Sequence, residues 1–190
     1  MSQKQRRTQA QRREETQSRV LACARQRFGE QGYSATALDD IARDAGGTIR
    51  PIYHYFGNKE ALFEAVAESF EEELLALLRA PGDDGEDAGL AESWQRFMSM
   101  CNTPGFVQVV LLDAPHVLGR ERLRRSAVVR EAQRRLDQMW PERQLSSRDR
   151  ELYARMLLAA LTEAALMHGE HSDYDSSEAL RPFLQLLDNI

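Results

Sequence analysis

Five neighbouring residues, Thr48, Ile49, Arg50, Tyr53 and His54, have the types and spacing of a surface that reads base pairs. Arg50 can offer a bidentate fork to guanine O6 and N7, and Ile49 an apolar contact such as one to a thymine methyl. Arg50 could equally contact a phosphate, since arginines serve the backbone at least as often as bases. Side chains used this way must project from a short helix that fits a major groove.

The stretch Thr36–Phe56, TALDDIARDAGGTIRPIYHYF, supplies that element. Thr36 and Asp39 stand at capping-box spacing, which predicts a helix start there. Leu38, Ile41, Ala42 and Ala45 recur as one buried helical stripe. Gly46-Gly47 stops this helix, because glycine accepts the left-handed conformation of a tight turn. Thr48 is a second N-cap candidate, and Ile52, Tyr53 and Phe56 form a second apolar stripe. Pro51 falls in the first turn, where no intrahelical N–H bond is lost. Two short helices about a glycine turn predict a helix-turn-helix.

With its flanks, FGEQGY before and GNKEALF after, this segment resembles the N-terminal domain of the tetracycline-repressor (TetR) family of transcriptional regulators. Phe28, Gly32, Tyr33, Thr36, Asp40-Ile41-Ala42, Ala45-Gly46, Thr48, Tyr53-His54, Phe56 and Lys59-Glu60 carry the resemblance. It implies that Thr36, Tyr53 and Lys59 contact the DNA backbone. Gly47 and Ile49-Arg50-Pro51 depart from the family's pattern and bear on which operator is read.

Charge is divided along the chain. Residues 1–60 hold 11 Lys/Arg against 7 Asp/Glu, whereas residues 61–190 hold 14 against 23. A basic head on an acidic body suits a polyanion touched at one end. Residues 1–13 include Lys4, Arg6, Arg7, Arg12 and Arg13, a basic arm suited to phosphates or the minor groove. The first seventeen residues have no apolar run for a secretory signal, and no apolar stretch suits a bilayer. Cys23 and Cys101 stand alone in apolar helical contexts, as thiols of a reducing compartment do. The expected location is the cytoplasm.

Helical patterns are predicted at about Arg13–Gln31, at Asn58–Arg79 with Asn58 as cap, and at Leu90–Asn102, Phe106–Leu112, Arg120–Met139, Ser147–Met167 and Ser176–Asp188. Pro115 and Pro141 separate some of these, and APGDDGEDAG at 80–89 reads as a solvated loop. The chain is all-α: a basic arm at 1–13, a three-helix DNA-binding domain at 14–60 with its motif at about 37–56, and a helical effector-binding and dimerisation domain at 61–190. The helix from residue 58 joins the two as an uninterrupted rod.

Within the C-terminal part, MLLAALTEAALM is apolar around nearly its whole circumference, which predicts burial on all sides. A second subunit could complete that burial through Leu157, Leu161, Ala164 and Ala165, together with Leu180, Phe183, Leu184 and Leu187 of the last helix. Trp94, Phe97, Met98, Cys101, Phe106, Val110 and Met156 are candidates for an apolar effector pocket, with His116, after Pro115, as its polar contact. The acidic loop misses the EF-hand spacing, and His168, Glu170 and His171 match no zinc signature, so no metal or cofactor is expected. No serine stands in a nucleophile elbow and no catalytic residue is identified. The predicted function is a homodimeric regulator, a repressor released from a pseudo-palindromic operator by a small apolar effector. The alternative is a dimeric small-molecule-binding or interaction protein whose head has lost DNA binding.

Overall fold

A computed structural model describes residues 8–82, 89–139, 141 and 145–170. Leu180, Phe183, Leu184 and Leu187 lie outside the described residues, as does most of the acidic loop. The described residues are helical, with connecting turns. They form two compact units: a head, comprising the chain to Ser69 together with Pro104–Leu118, and a body, comprising Phe70–Thr103 and the chain from Gly119.

In the head, α1 (Gln9–Ala35) starts earlier than its apolar periodicity suggests. Thr8 and Gln11 form a capping box: the Gln11 N–H donates to Thr8 Oγ1 at 3.2 Å and the Thr8 N–H to Gln11 Oε1 at 2.9 Å. Val20, Ala24 and Phe28 are its buried stripe. At Gly32 the backbone leaves helical geometry, with φ 76° and ψ 169°, before one more turn.

Thr36 does not cap α2 (Leu38–Asp44), which begins after Ala37 with no side-chain cap. Its hydroxyl is committed instead to α1, donating to the carbonyls of Gly32 at 2.8 Å and Arg27 at 3.2 Å. Ile41, Ala42 and Ala45 are buried as the stripe requires, and Gly46 turns the chain with φ 69°. Arg27 holds the end of α2 through a two-pronged contact with Asp44, at 2.5 and 3.1 Å. In α3 (Arg50–Phe56), where Ile49 and not Thr48 occupies the N-cap position and no side chain caps the helix, Pro51 lies in the first turn. Ile52 is buried, but Tyr53 is 52% exposed, so it is not part of the inner stripe.

Asn58 caps α4 (Lys59–Arg79), accepting from the Ala61 N–H at 2.8 Å. The helix runs unbroken through 21 residues, with those to Ser69 in the head and the rest in the body.

The head also includes the segment after α5 (Leu90–Cys101), which the sequence assigns to the C-terminal domain. Here a π-helical stretch, Val107–Asp113, passes directly into α6 (Ala114–Val117). Pro115 therefore does not break the helix. The Ala114 N–H donates to the Val109 carbonyl five residues back. This wider spacing ends as Pro115 enters, so its missing donor falls at a change of register. Phe106, Val109 and Ala114 are buried. Gly29 of α1 lies against Gly105, so closely that a Cβ on Gly29 would stand 2.6 Å from the Gly105 Cα.

In the body, the single helix expected over Arg120–Met139 is two, α7 (Gly119–Arg125) and α8 (Ala127–Met139). Ser126 divides them: its hydroxyl accepts from the Val128 N–H at 3.1 Å and reaches Glu71 Oε2 at 3.2 Å. The last described helix, α9 (Ser147–Glu170), continues through His168 and Gly169, residues the sequence places in a loop. Ala154 and Leu157 of α9 pack on Ala132 and Leu136 of α8, with Tyr153, Leu158 and Leu161 against them. This corrects the expected partner-facing set. Leu157 and Ala165 are buried within the subunit, Leu161 and Ala164 are half-buried, and the outward apolar residues are Leu152, Met156 and Met167.

Candidate nucleic-acid interface

The two carboxyl-terminal helices of the head's trihelical core present the predicted reading surface. Ile52 is fully buried and fixes α3 on the core, which turns Arg50, Tyr53 and His54 to solvent. Thr48 is exposed and Ile49 half-buried at the helix start. An arginine at the first residue of a short helix, with two aromatic donors a turn further on, can reach base edges while the helix backbone follows the groove.

Thr36 departs from this surface. It is 2% exposed and its hydroxyl bonds α1 carbonyls, so the side chain fastens the head instead of facing a phosphate. Lys59 sits in the first turn of α4 with its Nζ 4.4 Å from the Tyr33 ring centroid. Burial there lowers its amine below the ordinary lysine range.

Two aromatic residues outside the predicted reading set, Tyr55 and Tyr33, pack around this surface. Tyr55 receives the Arg13 guanidinium at 5.5 Å from its ring centroid and lies edge-on to His54, 4.9 Å between centroids. Tyr33 packs against Phe28 and Phe63, with ring centroids 5.9 and 5.0 Å away. No periodicity marks contacts between residues that distant in sequence. Only the aromatic flank FGEQGY hinted at them.

The residues expected to line an effector pocket belong partly to the body and partly to the head unit. Trp94, Phe97 and Met98 are buried on α5 in the body, with the Trp94 and Phe97 rings 5.7 Å apart. Cys101 follows on the same helix, its thiol pushed up to about 12 by burial. Phe106, Val110 and His116 belong to the head unit, and His116 is exposed because the chain stays helical past Pro115. Met156 is 46% exposed on the outer side of α9. His116 and Met156 are thus both exposed on this subunit.

Residues 20–66 match the family model described as bacterial regulatory proteins, tetR family. Residues 88–190 match that of the tetracyclin repressor-like C-terminal domain. The chain belongs to the TetR family. Its members are transcriptional regulators, not enzymes. A TetR-family regulator of Pectobacterium atrosepticum is similar in structure, with a TM-score of 0.60, 31% identity, and coverage of 96% of this chain and 94% of that one. Salmonella enterica GusR is similar at a TM-score of 0.60 and 25% identity, over 87% of this chain and 85% of that one. The regulator SrpR of Pseudomonas putida is 34% identical over 103 residues, 54% of this chain and 41% of SrpR. The chain thus spans less than half the length of that curated relative. Among the described residues no helix is long and apolar enough to cross a membrane.

Proposed function

We propose that this TetR-family protein is a homodimeric repressor that binds a pseudo-palindromic operator and leaves it when a small apolar effector binds. The observation that carries the reading is α3, whose buried Ile52 leaves Arg50, Tyr53 and His54 facing solvent together. Thr48, Ile49, Arg50, Tyr53, His54 and Lys59 form the DNA-facing set. The heads of two subunits would occupy successive major grooves about 34–36 Å apart.

The outward apolar residues of α9, Leu152, Met156 and Met167, support pairing with a second copy. The half-buried Leu161 and Ala164 would flank them. Trp94, Phe97, Met98 and Cys101 supply the apolar, adaptable wall for an effector. An effector in the body would act through α4, whose residues belong to both units. It need supply only ~1–3 kcal/mol of coupling to release DNA.

The test is an electrophoretic shift on the DNA immediately upstream of the protein's own coding sequence. Wild type should retard it, and Arg50→Ala should weaken binding by ~1–3 kcal/mol and relax preference at one G·C pair per half-site. An evenly spread loss with an unchanged binding logo gives Arg50 to phosphate. No retardation by wild type favours a head that has lost DNA binding. For the dimer, Met156→Glu should sediment as a folded monomer at micromolar concentration. A monomeric wild type would sink that part.

A further inference from the structure

We infer that Asp113 and Tyr33 are positioning residues for Lys59: Asp113 fixes the backbone of Tyr33, and the Tyr33 ring holds the lysine ammonium where it meets the DNA backbone. The inference rests on the reading of the head as a DNA-binding unit with Lys59 on phosphate. It adds two residues outside the helix-turn-helix that set the strength of that contact.

The geometry begins at Gly32. Its positive φ interrupts the helical hydrogen bonding of α1, and the next N–H, that of Tyr33, donates to Asp113 Oδ2 at 2.7 Å. A carboxylate accepting a backbone N–H makes a charge-assisted bond, stronger than a neutral one. The approach needs glycine. A Cβ on Gly32 would lie 3.3 Å from Asp113 Oδ2 and 3.2 Å from Gln108 Nε2, and a side chain would be strained at φ 76° in any case. Asp113 closes the π-helical stretch, so its place depends on the register that this stretch sets.

From Tyr33 the contact passes to its ring. Phe28 lies stacked on it and Phe63 meets it edge-on, which leaves the ring little freedom to tilt. Lys59 Nζ stands over this ring, 4.4 Å from the centroid. An ammonium has three donors, and one aimed at the ring leaves others for a phosphate. Lysine ordinarily has a flexible four-carbon stem. Holding it beforehand removes conformational freedom that phosphate binding would otherwise have to remove.

The experiment uses the full-length protein and sheared duplex DNA of mixed sequence, titrated with salt, because phosphate contacts do not require the operator. Lys59→Ala, Tyr33→Leu and Asp113→Ala should each weaken binding and reduce the salt slope by about one. Tyr33→Phe keeps the ring face and Asp113→Asn keeps an acceptor, so both should retain the wild-type slope. Asp113→Ala combined with Lys59→Ala should bind no more weakly than Lys59→Ala alone. Without DNA, the Lys59 Cε protons should show an upfield ring-current shift in wild type and Tyr33→Phe. That shift should vanish in Tyr33→Leu and shrink in Asp113→Ala, a change that loss of stability in a still-folded head does not produce. A wild-type slope and Lys59 shift in Asp113→Ala would overturn the inference alone, as would additivity in the double variant. A salt slope untouched by Lys59→Ala, or a wild type that binds no DNA, would overturn the underlying reading and the inference with it.

Discussion

Head and body hold their helices together by different means. The head's interior is aromatic and aliphatic: Phe28, Phe63, Ile41, Ile52 and Val66 are fully buried, while the Arg27–Asp44 pair lies toward the surface. The body buries charge. Glu71 binds the Arg122 guanidinium and the Ser126 hydroxyl. Glu131, 3% exposed, receives Arg79 at 3.1 Å, Arg134 at 2.7 Å and Arg135 at 3.2 Å. Arginines also bind carbonyls at the end of α4. Arg96 donates to those of Leu77 at 2.8 Å and Ala80 at 2.6 Å, and Arg135 to that of Leu78. An apolar core holds the head without drawing its cations into the interior. Directional ion pairs instead fix angles between the body's helices, at the cost of desolvating each charge.

The largest effects should come from removing one anchor of each kind. Phe63→Ala in the head should cost about 3–5 kcal/mol through a cavity. Glu131→Ala in the body should cost less, because of its three arginines only Arg135 is largely buried, while the Arg79 and Arg134 side chains are 56% and 40% exposed. Acid separates the two. Burial alone would raise the Glu131 carboxyl, but hydrogen bonds from Arg134 and Arg79 and the charges of Arg134 and Arg135 outweigh it and hold it below the ordinary 4.5. Its contribution is therefore complete above that value and is lost as pH falls through the lower folded one. In the head Asp44 is lowered too, by its hydrogen bond to Arg27, but at the surface. As pH falls below about 4.5, Trp94 fluorescence should report loosening of the body before amide exchange reports it in α2 and α3. Glu131→Ala should remove that order, and simultaneous loss in wild type would break the comparison.

What could be read in the sequence divides by the kind of interaction and not by unit. The head's elements follow from local chemistry: apolar residues at helical spacing, a glycine turn, and Asn58 as a cap all fold as their types require. The differences arise where a side chain bonds outside its own element. Thr36 looks like a cap but bonds α1, and Ser126 divides a helix while reaching Glu71, 55 positions away. Pro115 looks like a stop, yet the preceding π-helical register lets the helix continue. In α9 an almost wholly apolar pattern cannot show which side faces α8; Leu157 packs on it and Met156 is exposed. The exposed face of α3, Arg50, Tyr53 and His54, was legible because a short helix with one buried anchor has only one way to lie.

An intermediate effect is expected at the close approach that brings residues 104–118 into the head. Gly29→Ala places a methyl 2.6 Å from the Gly105 Cα, a contact that only backbone movement relieves. Overpacking of this kind costs about 1–3 kcal/mol. The loss should appear as faster amide exchange at Val109 and Ala114, while the midpoint of Trp94 fluorescence in the body moves less. Equal destabilisation of both units would mean that they do not respond separately.

The smallest effects compare one helix cap in each unit. Thr8 accepts from the Gln11 N–H at 3.2 Å and opens α1; Ser146 accepts from the Asp149 N–H at 3.2 Å, donates to Asp149 Oδ2 at 2.7 Å, and opens α9. Replacing either hydroxyl residue with alanine should cost about 1 kcal/mol locally. The surroundings decide how far that cost travels. Residues 9–15 of α1 are all exposed, so the first turn can fray without disturbing a core. A few residues into α9, by contrast, Ala154 and Leu157 are packed on α8. Thr8→Ala should therefore speed exchange of the Gln11 amide and leave the thermal midpoint where it was, loosening only the turn that carries Arg13 toward Tyr55. Ser146→Ala should lower the body's midpoint by an amount close to its local cost. A midpoint shift in Thr8→Ala as large as that in Ser146→Ala would show that the start of α1 is coupled to the head's core despite its exposure.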